Sequence, residues 1–169
     1  MIKSVLASTA LAACFLFIQT TWLKNGLISG ITPDFALIVV LWVSYSNKAS
    51  QGIIAAFLIG LASDLLSASP FGYFAFLYLV PAYAAAVLKQ AIHMDRLFVP
   101  VLLGASGTLL KALASGILLR IFGSGAVDAY SIRDSHLWLE LAFNAAISPL
   151  LCLLLEKLKP VLVARRITE

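Results

Sequence analysis

Apolar residues in this chain gather into long unbroken runs, and short clusters of polar residues, glycine and proline separate one run from the next. A helix needs about 20 consecutive apolar residues to cross the hydrocarbon core of a bilayer. On that measure the runs predict about six membrane spans, over residues 4–23, 27–46, 51–67, 73–89, 98–122 and 137–156. The second is the least regular. Pro33 and Asp34 open a clean apolar run over 35–45 that is too short to cross alone, so residues 26–32 are expected to supply a bent or re-entrant lead-in. Pro70 and Gly72 mark a turn after the third run, Pro81 predicts a kink in the fourth, and the fifth is long enough to tilt. Residues 123–134 read as the one sizeable loop, and the sixth run, with Pro149 inside it, ends in a basic tail.

Composition supports the same reading. Of 169 residues, 62% are hydrophobic and 12% charged, whereas a soluble domain has about 45–50% and about 25%. Six spans fill the chain, so residues 1–169 are expected to form a single all-α transmembrane domain with no soluble domain beside it. Lys3 and the stretch Leu11-Ala12-Ala13-Cys14 resemble a lipoprotein leader. The apolar run continues past Cys14 to Trp22 and Leu23, however, which predicts a retained span closed by an interfacial aromatic.

The net charge of +4 comes from basic residues placed between apolar runs, which points to topology and away from nucleic acid. With the N-terminus cytoplasmic, Lys3, Lys48, Lys89, Arg96, Lys157, Lys159, Arg165 and Arg166 fall inside, and Lys24, Arg120 and Arg133 outside. Both termini are therefore expected in the cytoplasm. Cys14 and Cys152 lie within apolar runs and read as small packing residues, while His93 and His136 stand alone, without metal-ligand spacing.

Three runs carry small or polar residues at four-residue spacing, which aligns each set on one helix face. They are Gly52, Ala56, Gly60 and Asp64 in the third, and Gly104, Thr108, Ala112 and Gly116 in the fifth. The sixth has Glu140, Asn144, Ser148, Cys152 and Glu156. Small residues let helix backbones approach closely in lipid. Lys111 falls mid-span, where a lysine costs roughly 2.5–3.5 kcal/mol on insertion scales and must face protein or water with a partner. Glu140 or Asp64 lies within reach of it, with Asn144 and Ser148 at similar depth. Structural glue, contact with a partner's helix, and a ligand or ion site are the readings open for it. No catalytic constellation, metal cluster or phosphate-cradling loop is apparent, and no cofactor is expected.

The ordered combination of Pro33-Asp34, the helix Gly52…Gly60…Asp64 and the turn Pro70-Phe71-Gly72, with Gln19 near the end of the first run, resembles the rod shape-determining MreD family. The motif stretch covers residues 33–72, with Phe71 where leucine is usual. The resemblance implies a non-enzymatic inner-membrane scaffold of the bacterial cell-elongation complex. Its partners would be MreC, most directly, with MreB, RodA and a class B penicillin-binding protein as fellow members. The implied fold is similar to the six-helix substrate-binding component of ECF vitamin transporters. That similarity makes a small-molecule carrier the competing reading. Lys111, Asn144 and Glu140 would then line a pocket, and Tyr73, Tyr78, Tyr83 and Trp138 would be candidate ligand contacts, each equally an interface anchor.

Overall fold

The computed structural model describes residues 2–22, 32–67, 69–91, 97–123 and 135–162, all of them helical or in the turns between helices. The helices are α1 (Ile2–Trp22), α2 (Phe35–Ser46), α3 (Ala49–Leu66), α4 (Tyr73–Ala91), α5 (Phe98–Phe122), α6 (Ser135–Lys157) and the single turn α7 (Lys159–Leu162). Several sequence expectations fall outside the described residues. They are the lead-in over 26–31, the loop over 124–134, His93, and the basic residues Lys24, Arg96, Arg133, Arg165 and Arg166, together with the side chains of Lys3 and Trp22.

Four stretches are long and apolar enough to cross a membrane: Ser4–Thr21, Ala49–Leu66, Phe98–Phe122 and Ser135–Lys157. α4 is of similar length, but three tyrosines, Pro81, Lys89 and Gln90 dilute its hydropathy. Pro81 and Pro149 both sit inside continuous helices.

α2 departs from the expected span. Residues 32–34 are not helical, and the helix has 12 residues, a length of about 18 Å against a core of about 30 Å. Pro33 lacks an N–H and Asp34 takes the N-cap position, which fixes the start at Phe35. α2 is also the centre of the molecule. α1, α3, α4, α5 and α6 all pack against it, and every residue from Ala36 to Tyr45 is buried. A helix apolar all round is expected where protein surrounds it. Its run of Leu37, Ile38, Val39, Val40, Leu41, Trp42 and Val43 forms the core.

The distribution of polarity is the reverse of a soluble fold. Asp34, Lys111, Glu140, Asn144 and Ser148 are buried, while Phe17, Leu65, Phe98, Leu113, Ile121 and Leu150 face outward. That is the arrangement a protein adopts in lipid. The two cysteines, both expected in packing roles, separate. Cys152 is buried in the core, whereas Cys14 is exposed. Ala12 and Leu16 of α1 face inward, and a residue two positions from both lies on the opposite side of the helix.

Candidate functional site

The site begins with the exposed backbone of a buried helix end. The first N–H groups of a helix have no partner within it, and at hydrocarbon depth water does not supply one. Asp34 caps α2 directly, its Oδ1 accepting from the N–H of Leu37 at 3.0 Å. Gln19, near the end of α1, accepts through Oε1 from the N–H of Phe35 at 3.3 Å. Asn144 of α6 accepts through Oδ1 from the N–H of Asp34 at 2.8 Å. Side chains from two other helices therefore finish what the sequence of α2 leaves open.

The Asp34 carboxylate lies where the helix dipole favours a negative charge. Lys111 of α5 meets it, Nζ donating to Oδ2 at 2.6 Å, and the same ammonium donates to Oε1 of Glu140 on α6 at 2.9 Å. Tyr78 of α4 donates its hydroxyl to Asp34, 3.1 Å from Oδ1 and 3.3 Å from Oδ2. Asp34 and Lys111 are each 4% exposed and Glu140 7%, a depth at which a single unpaired charge is severely destabilising.

A second layer of bonds holds these groups. Asn144 Nδ2 donates to Thr108 Oγ1 at 2.9 Å, and that hydroxyl donates to the carbonyl of Gly104 at 2.8 Å. Ser148 donates its hydroxyl to the carbonyl of Asn144 at 2.5 Å. Gly104 faces this pair directly. A Cβ there would overlap Ser148 Oγ and lie 2.7 Å from the Asn144 carbonyl oxygen, so the close α5–α6 approach requires glycine.

Beside the triad lies a cleft of about 360 Å³ at one end of the bundle, lined by Gln19, Ser63, Tyr78, Lys111, His136 and Glu140 among others. Asn144 does not line it, because its amide is committed to Asp34 and Thr108. Of the candidate aromatic contacts, Tyr78 reaches the cleft, Tyr73 is buried at the start of α4, and Tyr83 and Trp138 face outward. Tyr78 is therefore a buried hydrogen-bond donor and not an anchor at the membrane surface. Among the described residues no group of three or more His, Cys, Asp or Glu side chains is placed to hold a metal ion.

A family model described as rod shape-determining protein MreD matches residues 2–158 of the chain. The chain belongs to the MreD family. Neither curated proteins nor solved structures give a match.

The motif residues of this MreD chain fall into two structural units. One is the start of α2, where Asp34 follows Pro33. The other is the α3–α4 hairpin. Gly60 lies against the backbone of Phe74 and Ala75, closer than any Cβ would permit. One turn further on, Asp64 accepts from the N–H of Gly72 at 2.9 Å through Oδ2, and from the N–H of Phe74 at 2.7 Å through Oδ1. Asp64 thus caps α4 from the helix before it. It is not a partner of Lys111, for which it was a candidate by reach. Pro70 accepts from the N–H of Tyr73 at 3.1 Å, and Gly72 has a φ of 92°, a left-handed conformation that favours glycine. Gly52 makes the equivalent close approach between α3 and α2: a Cβ there would lie 2.5 Å from Ser44 Cα and 2.8 Å from its Oγ. Gly116 differs: a Cβ there would meet nothing within 4 Å.

The sequence offers Glu140 or Asp64 as the partner of Lys111; it does not mark Asp34 as the closer partner of the lysine or Tyr78 as a member of the same network. The available signal was an N-cap aspartate opening an apolar run at membrane depth, an acid that itself needs a cation.

Proposed function

We propose that this MreD-family membrane protein is a non-enzymatic scaffold subunit of the bacterial cell-elongation complex. It sits in the inner membrane with both termini in the cytoplasm, and supports rod shape and lateral peptidoglycan synthesis by binding MreC. MreB, RodA and a class B penicillin-binding protein are the remaining members of that assembly. The observation that carries the reading is the family match over residues 2–158.

The architecture is compatible with a scaffold. The charged groups at the heart of the bundle are committed to one another and to helix ends, so their evident work is to fix the relative positions of α1, α2, α4, α5 and α6. A rigid bundle keeps its outward faces in fixed relation, which a surface for partner helices requires. Gly116 is a candidate for such contact, because a Cβ there would meet none of the described residues within 4 Å. Lys157 and Lys159 at the end of α6 are exposed. They suit an edge facing anionic lipid or the MreB side of the complex.

Depletion in the native cell tests the role, with cell width followed by microscopy and MreC recovered from membranes in parallel. Rounding or widening with loss of MreC association is the expected result. Normal shape with unchanged MreC recovery would refute the scaffold reading. Cysteine labelling at Lys157 and in the loop over 123–134 tests the orientation, with the first expected to be protected in intact cells and the second reactive.

A further inference from the structure

The wall between α4 and α5 is not closed. A recess of about 190 Å³ opens there, with Leu41 of the central helix at its floor, Ala84, Ala85 and Leu88 on one side and Leu102 and Leu110 on the other. Ala84 and Ala85 narrow α4 between Pro81 and Leu88, and α5 comes so close to α2 that a Cβ at Gly107 would overlap the Leu41 side chain. Ala84, Leu88, Leu102 and Leu110 are half-buried, so the recess reaches the outer surface, where Val87, Val101 and Leu109 of the same helices face outward. Among the described residues its one polar side chain is Ser106, which donates its hydroxyl to the carbonyl of Leu102 at 2.6 Å. One hydroxyl does not hold a water, which needs about two to four polar partners. Left empty, the lining forfeits its dispersion contacts.

The recess has a direction. Consecutive helices joined by a short link run antiparallel, so Leu88 and Leu102 form one end and Pro81 and Leu110 the other. Its length along α5, from Leu102 to Leu110, is about 12 Å. The Leu88 end is the basic one. Lys89 follows Leu88 and donates to the carbonyls of Ser46 and Asn47, and Lys48 is the next residue of the chain. Asn47 also bonds the carbonyl of Leu162, which brings Lys157 and Lys159 to the same end of the bundle. All four lysines are exposed, and among the described residues Glu156 is the one acid at that end.

We propose that this recess binds one anionic phospholipid. An acyl chain lies between α4 and α5 over Leu41, and the phosphate sits at the edge formed by Lys48 and Lys89. The chain supplies the contacts that the apolar lining lacks, and the basic edge favours a negative headgroup. The proposal rests on residence in a membrane and is independent of the rod-complex reading.

Native mass spectrometry tests it, on the full chain released from nanodiscs that hold equal amounts of phosphatidylglycerol and phosphatidylcholine. The wild-type protein should retain one phosphatidylglycerol in preference to phosphatidylcholine. Ala84→Phe and Ser106→Leu fill the recess from opposite walls, and each should abolish retention. Leu113→Phe, on the outward face of α5, should not. Lys48→Gln combined with Lys89→Gln should lower the preference for phosphatidylglycerol by about twenty- to thirtyfold, about fivefold for each lysine at the membrane surface. The proposal is overturned if the wild-type protein retains no lipid, or retains the two lipids equally. It is also overturned if retention is unchanged in either filling variant that folds. A dimer mass that a filling variant removes would overturn it too, because a second copy would then occupy the recess.

Discussion

Replacing Lys111 with methionine removes a cation bonded to both buried acids while nearly preserving side-chain volume. The lysine is 4% exposed, and its Nζ lies 2.6 Å from Asp34 and 2.9 Å from Glu140. Without it, two buried carboxylates lose their shared ammonium, and Asp34 keeps the Tyr78 hydroxyl and the Leu37 N–H as donors. Breaking a buried ion pair by deleting one partner costs about 3–5 kcal/mol. The cleft beside Glu140 admits some solvation, so the lower part of that range applies. We expect a loss of about 3 kcal/mol, near a hundredfold in the folded-to-unfolded ratio.

Titration with a denaturing detergent in mixed micelles would measure it, with Trp42 fluorescence as the probe, since that indole is fully buried in the core. Lys89→Ala is the control. Lys89 is exposed and donates to the carbonyls of Ser46 and Asn47 at the other end of α2, at 3.3 and 3.0 Å. Its loss should cost no more than about 1 kcal/mol. The coupling is the sharper readout. Asp34→Asn and Glu140→Gln together should recover much of what Lys111→Met loses, because neutralising a whole buried network is often nearly neutral. Equal losses for Lys111→Met and Lys89→Ala, or strictly additive effects of the three changes, would refute the account of this site.

Gly104→Val should sharply reduce folded protein, because its side chain would enter Ser148 and the Asn144 carbonyl. Gly116→Val, three stripe positions away, should fold normally, and any loss it causes should be in MreC recovery from membranes. Asp64→Ala leaves the N–H groups of Gly72 and Phe74 without their acceptor and should cost about 1–2 kcal/mol in the same detergent titration. Tyr78→Phe removes one neutral donor from Asp34 but keeps Lys111, so its cost should be smaller than that of Lys111→Met, about 1 kcal/mol.

Periodicity made the long helices legible. α1, α3, α5 and α6 are long enough, and apolar enough on average, for hydropathy to mark them to within a few residues. α2 was harder for a physical reason. Its run reads like part of a span, yet its burial comes from five surrounding helices and not from lipid, and hydropathy does not distinguish the two. The site was half legible. Lys111 announced itself by the cost of its position, and Glu140 by helical spacing on α6. Asp34 and Gln19 are separated from them by 77 to 121 residues in sequence, and only the packing of α2 reveals that their roles meet. The stripe of small residues also proved uneven: Gly104 is pressed against α6, whereas a Cβ at Gly116 would meet none of the described residues within 4 Å.

The short central helix explains why so many polar residues are spent inside a membrane protein. A helix crossing the whole bilayer leaves its ends in water, where capping costs nothing from its neighbours. α2 is too short to cross, and its own cap residues, Asp34 and Asn47, are both buried, so neighbouring helices must complete the capping. At the N-terminus Gln19 and Asn144 serve, with Asp34 held by Lys111. At the C-terminus, Asn47 donates through Nδ2 to the carbonyls of Val43 at 3.1 Å and Leu162 at 3.3 Å, and the Lys89 ammonium bonds the last carbonyls. The signs are complementary, an anion at the positive end of the helix and a cation at the negative end. The same bonds that satisfy α2 therefore tie α1, α4, α5, α6 and α7 to it. No outer helix in that set can shift without exposing a helix end, and this gives an MreD chain a fixed outer surface from side chains that never reach it.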